Sequence, residues 1–238
     1  MKKILIVALG LISNNIFCQT YDEMKIVFQR RTNLEKRYDD PRMKRMINNS
    51  NKIRNDEFTL FVNTNGSAFV PIESESQDRM SWLTSKNSYF QNVKEKNQLI
   101  VFSLFGNNLY IKDSLPSRSW KITENTRTIA GYECRKAIYQ KNDSTRIYAW
   151  YSPALIPSVG PEGFCGLPGT ILGVATEDGG IIYFAKSIAF VAPKSTEMSY
   201  SLGKNKTQTI KELEEEIKKK FGNQPWGKNM FEDLFRWL

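Results

Sequence analysis

Four times between residues 57 and 191 the chain sets two short, β-prone runs on either side of a tight turn. Glu57–Asn63 and Ser67–Ile72 flank Thr64-Asn65-Gly66, and Asn97–Leu104 and Asn108–Lys112 flank Phe105-Gly106-Asn107. Ala137–Lys141 and Thr145–Tyr151 flank Asn142-Asp143-Ser144, and Thr170–Thr176 and Ile181–Val191 flank Glu177-Asp178-Gly179-Gly180. Asn-Gly and Gly-rich pairs accept the positive φ of hairpin turns, and the runs between them are too short for helices. A further strand or two fits Lys121–Cys134. Hairpins that follow one another pair with their neighbours, so the expected fold is mainly β: an antiparallel meander sheet curled into a bowl or half-barrel.

Helical signals gather at the C-terminal end. Thr209 to Glu212 forms a capping box, and apolar residues recur at Ile210, Leu213, Ile217 and Phe221 before Gly222 and Pro225 stop the helix. A second box, Asn229 to Glu232, predicts a short terminal helix carrying Met230, Leu234, Phe235 and Leu238. The polar residues 73–88 read as a loop with one helical turn around Met80–Leu83. A chain of 238 residues with 40% hydrophobic content and no internal repeat can bury the core of a single domain.

The sequence holds no histidine. That excludes Ser-His-Asp and Cys-His nucleophile systems and every His-containing zinc site. Acid/base chemistry would fall to carboxylates, yet Glu133 and Glu162 have no spacing that makes them a pair, and Glu177-Asp178 sits at a hairpin tip. No Ser-x-x-Lys frame is recognisable, and no metal or cofactor is expected.

Residues 1–18 read as a secretory signal peptide, with Lys2 and Lys3 before the apolar run Ile4–Ile12 and cleavage after Cys18. The alternative is lipidation of Cys18, against which Phe17 is large for the preceding position. Residues 19–238 then form one exported domain, periplasmic or secreted, with no transmembrane span. Two cysteines remain, Cys134 and Cys165. In an oxidising compartment a disulfide between them is the simplest reading, worth about 3–4 kcal/mol by loop closure, with two separate thiols as the alternative.

Residues 120–172 carry four motifs in order. Trp120-Lys121-Ile122 precedes Ile129-Ala130-Gly131-Tyr132-Glu133-Cys134-Arg135-Lys136-Ala137; then come Ala149-Trp150-Tyr151-Ser152-Pro153 with Ile156-Pro157, and Gly160-Pro161 followed by Phe164-Cys165-Gly166-Leu167-Pro168-Gly169. This order resembles the GLPGLI family, exported proteins common in Bacteroidetes. The resemblance covers about a fifth of the chain and implies export and a β-rich fold, with no established activity. Thr170-Ile171 replaces the motif's final Leu-Ile, and Cys165 stands where the family usually has glycine. A remoter similarity, to the bowl-shaped N-terminal domain of a bacteroidete peptide N-glycosidase, implies an accessory β module.

Gly166-Leu167-Pro168-Gly169 suits a type II turn and can serve either as structure or as a rigid ligand-contacting loop. Trp120, Tyr132, Tyr148 and Trp150 form an aromatic set that packs a core or lines a sheet mouth for an apolar ligand or peptide. Residues 25–54 hold ten basic against three acidic side chains, a net +7. Arg30, Arg31, Arg42, Lys44 and Arg45 read as a basic patch, facing an anionic envelope surface or acidic partner or else only water; nucleic acid is not an expected partner. The resulting expectation is a non-enzymatic binding or accessory module for an apolar ligand, peptide or outer-membrane protein. The alternatives are a carboxylate-based hydrolase and a structural partner of an outer-membrane complex.

Overall fold

The computed structural model describes residues 22–38, 40–73, 83–104, 107–142, 145–223, 235 and 237. The expected leader at 1–18, most of the helical turn expected at 80–83 and most of the terminal helix expected at 229–238 lie outside the described residues.

The strands are β1 (Met24–Asn33), β2 (Ile53–Asn63), β3 (Gly66–Pro71), β4 (Ser88–Asn92), β5 (Asn97–Leu104), β6 (Asn107–Ser114), β7 (Trp120–Ile129), β8 (Tyr132–Asn142), β9 (Thr145–Ser152), β10 (Thr170–Thr176), β11 (Ile181–Ala189) and β12 (Thr207–Gln208). The helices are α1 (Leu34–Arg37), α2 (Pro41–Met46) and α3 (Ile210–Phe221). All four expected hairpins are present, as β2–β3, β5–β6, β8–β9 and β10–β11. The β2–β3 turn closes by other means than the positive φ expected of Asn-Gly: neither Asn65 nor Gly66 has positive φ, and Asn63 Oδ1 accepts from the backbone N–H of both. Gly66 is required because a Cβ there would lie 1.8 Å from Gln91 O. β1, β4 and β12 are strands that turn signals did not reveal.

The twelve strands among the described residues join one sheet in the order β12-β6-β5-β4-β3-β2-β1-β11-β10-β9-β8-β7. Every pairing is antiparallel except the two-residue contact of β12 with β6. The sheet is open, and the C-terminal helix α3 starts at the expected capping box, Thr209 with Glu212.

Curvature follows from what the strands reach. β4 and β11 stand four places apart, roughly 19 Å on a flat sheet. Yet Tyr89 of β4 and Tyr183 of β11 face one carboxyl group, that of Glu162. The alternation explains which face curls inward: Met24, Ile26 and Phe28 of β1, Phe58, Leu60 and Val62 of β2, and Ile147, Ala149 and Tyr151 of β9 are all buried. Phe58 stacks on Phe69 at 4.9 Å, and Tyr183 meets both edge-on. Leu213 and Ile217 bring α3 into the same core.

Candidate functional site

The concave face is filled by the chain itself. After β9 the backbone enters the bowl, makes a 3-10 turn at Pro161–Gly163 that contacts β3, β4 and β10, and leaves along β10. Gly163 O accepts from Gln91 Nε2 at 2.9 Å and from Arg118 Nη1 at 3.3 Å. Gln91 is on β4 and Arg118 directly precedes β7, eight strands away in the sheet order. Trp120 Nε1 donates to Cys165 O at 3.0 Å, and Gly166 N donates to Ser158 Oγ. Phe164 and Leu167 are fully buried, with Trp237 edge-on against Phe164. At Pro168 the hydrogen bond runs from Gly169 N to Leu167 O, two residues apart. The expected type II turn is therefore a γ-turn centred on the proline. Gly169 has φ +146°, and a Cβ there would lie 2.1 Å from Ser152 O, so this position requires glycine.

Glu162, named in the sequence without a role, is the centre of this filling. It has φ +51° and is 1% exposed. Tyr183 Oη donates to its Oε1, and Tyr89 Oη faces the same carboxyl, but neither Tyr89 Oη nor Glu162 Oε2 completes a hydrogen bond among the described residues. Burial pushes the Glu162 carboxyl above the usual range, only partly opposed by Arg30 and the tyrosines. Arg30 reaches Tyr183 Oη at 3.3 Å and Asp56 Oδ2 at 2.8 Å, and its guanidinium lies 4.9 Å from the Phe58 ring. Burial opposes the Asp56 charge, but the Arg30 cation outweighs it, and with Lys86 and Thr84 it holds this carboxyl below its usual value. The ion pair beside Glu162 is thus sealed from solvent: Arg30 and Asp56 are 5% and 6% exposed.

These placements correct two expectations. Arg30 is no part of a basic surface, because it faces inward and Asp56 is its direct cross-strand partner. Arg31 of β1 and Arg42, Lys44 and Arg45 of α2 are exposed. Cys134 and Cys165 are free thiols. Cys134 pairs with Arg127 toward the tip of the β7–β8 hairpin, whereas Cys165 is held to Trp120, which pairs with Tyr139. Five residues of β8 separate those positions, roughly 16 Å, beyond the span a disulfide can bridge. Burial pushes the Cys134 thiol up to about 11.

The expected aromatic set divides. Trp120 turns inward to the motif loop, with its ring against Tyr139 and Phe164. Tyr148 and Trp150 project from the other face of β9, where Lys136 Nζ lies 3.8 Å from the Tyr148 ring centroid and Arg127 lies 5.0 Å from that of Trp150. Tyr132 is half-buried at the start of β8, and its carbonyl accepts from the Cys134 thiol.

An open concavity lies on the outer face instead. Segment 190–206 runs from β11 across that face to the β6 edge, bracing itself through Lys194 O and Ser195 O. Tyr200 lies 5.8 Å from both Phe90 and Tyr110. Between this strap and the sheet is a groove of about 410 Å³. Register supplies its floor: Phe90, Leu99 and Lys112 are successive cross-strand partners, and Gly66, Asn92 and Asn97 form the row beside them. Asn63, Asn65, Gln91, Gln98, Ser195 and Met198 complete the lining. Sequence reading missed this site because Phe90 alternates with residues of a segment otherwise rich in polar side chains.

Among the described residues no group of three or more Cys, Asp or Glu side chains is placed to hold a metal ion, and no helix is long and apolar enough to cross a membrane. No protein-family model and no curated protein matches the chain. In fold it is similar to PNGF-II, with 16% identity over 82% of this chain and a TM-score of 0.55 in one crystal form, and with the same identity over 81% and a TM-score of 0.52 in a second. An uncharacterized conserved protein from Thermus thermophilus aligns over 79% of this chain and 91% of its own at 7% identity, with a TM-score of 0.42. The chain spans about a third of the length of PNGF-II, 32% in either crystal form, and what it shares with that part is the fold.

Proposed function

We propose that the chain is an exported, non-enzymatic binding or accessory module of the bacterial cell envelope, of the GLPGLI type, and that its ligand site is the strapped groove on the outer face. The observation that carries this reading is the division between the two faces. The concave face holds the buried Arg30, Asp56 and Glu162 but is occupied by Gly160–Gly169, with Glu162 sealed beneath Tyr89 and Tyr183. The outer face offers a groove within the size range of small-ligand sites, floored by Phe90 and Leu99. The pattern of residues 1–18 and the four ordered motifs support export and the family. Likeness to one third of a longer chain supports an accessory role.

The test is to produce the full chain in a Gram-negative host, sequence the mature N-terminus and fractionate the cells. Gently purified protein, wild type and Phe90→Ala, is then analysed by mass spectrometry for bound molecules. The reading expects a mature protein beginning at Gln19 in an exported fraction, and a bound species lost from the Phe90→Ala protein. A chain retained with its leader in the cytoplasm would overturn the export half. A bound species retained equally by Phe90→Ala would overturn the site.

A further inference from the structure

We infer that the ligand of the outer groove is an oligosaccharide; this deepens the proposed function and rests on it. The lining is a narrow apolar strip edged by side-chain amides. Phe90 and Leu99 form the strip, joined by Met198 of the strap, and Asn63, Asn65, Asn92 and Asn97 edge it. Turn hydrogen bonds hold three of these amides, those of Asn63, Asn92 and Asn97, before any ligand arrives. Asn63 Oδ1 is taken by Asn65 N and Gly66 N, and Asn92 Oδ1 by Glu95 N. Asn97 Nδ2 is taken by Glu95 Oε2. What remains is the amide N–H₂ of Asn63 and of Asn92 and the second N–H of Asn97 as donors, and Asn97 Oδ1 as an acceptor, none with another partner among the described residues. Lys112 adds a cation and Ser195 a hydroxyl.

Fixed donors and acceptors at the edge of an aromatic floor match a sugar ring. Its hydroxyls both donate and accept, and its C–H face meets the electron-rich face of an aromatic ring. A lipid chain would leave the asparagine groups desolvated without partners, which costs free energy. An extended peptide adding to the sheet would need an unpaired edge, but β3, β4 and β5 are each paired on both sides. A strongly anionic ligand would meet one lysine.

The experiment screens the purified protein on an immobilised oligosaccharide array covering hexose, N-acetylhexosamine and uronic acid linkages. The strongest binder is then titrated calorimetrically against wild type, Phe90→Ala, Asn92→Ala and Tyr200→Ala, with unchanged thermal unfolding as the check on folding. The inference expects saturable binding weakened tenfold or more by Phe90→Ala and by Asn92→Ala, and less by Tyr200→Ala. Sugar binding indifferent to all three substitutions overturns it. So does an array without binders: if the gently purified protein then holds a lipid or peptide in a Phe90-dependent way, the binding-module reading stands and only the sugar assignment falls. If it holds neither, both fall.

Discussion

Gln91 and Arg118, eight strands apart in the order of the sheet, donate hydrogen bonds to one carbonyl oxygen, that of Gly163, at 2.9 and 3.3 Å. The motif loop is therefore what the sheet curls around. Its residues turn the open sheet of the described residues into a filled bowl.

Glu162 gives the filled bowl a pH signature. Its carboxyl is raised in the folded protein by burial, so its neutral form is the one the fold accommodates. The unfolded chain ionises near the ordinary carboxyl value, about 4.3, while the folded chain resists. Wild-type stability contributed by this group is complete below that value and is lost as pH rises toward the folded value. Glu162→Gln keeps an oxygen for Tyr183 and removes the titration. Urea unfolding of both proteins from pH 4 to pH 8 should show the variant gaining on wild type as pH rises, then a constant gap. A gap that narrows with rising pH would show that the carboxylate, and not the acid, is the favoured form.

Arg30 and Asp56 are direct cross-strand partners, joined at 2.8 Å inside the core. Asp56→Ala strands the guanidinium and should cost about 3–5 kcal/mol. Replacing both residues, Arg30→Met with Asp56→Leu, should recover most of that loss. A denaturant double-mutant cycle measures it. Equal losses in the single and double variants would mean that packing, and not the stranded charge, sets the cost.

The thiols should stay separate even after oxidative expression. A non-reducing peptide map should contain no Cys134–Cys165 cross-link, and a thiol reagent at pH 8 should label the half-buried Cys165 faster than the fully buried Cys134, although burial pushes both thiols up. Full protection of both until reduction would contradict the free-thiol geometry.

Local chemistry made the hairpins and α3 legible in the sequence. Asn63 caps the turn at Asn65-Gly66, and Thr209 with Glu212 caps α3, each within a few residues. Long-range relationships were not legible. In β1 the alternation Met24, Ile26, Phe28 continues into Arg30 where an apolar residue is expected; its counter-charge lies 26 residues on and its tyrosine partner 153 residues on. Read locally, an arginine among ten basic residues looks like surface. β4 is only five residues long, and Gln91 occupies an inward position because Gly163, far along the chain, supplies its acceptor. The cysteine pairing failed for a related reason: an even count says nothing about which end of a hairpin each thiol reaches.

The central claim is that Gly160–Gly169 permanently fills the bowl and is not a lid that ligands displace. Native-state hydrogen exchange in low denaturant tests it at the amides of Phe164, bonded to Pro161 O, and Thr170, bonded to Leu155 O. The account predicts that both exchange only with global unfolding, on the same denaturant dependence as the amides of β2 and β10. Exchange at Phe164 through an opening several kcal/mol below the global value, with those strands still protected, would contradict it and return the concave face to candidacy as the binding site.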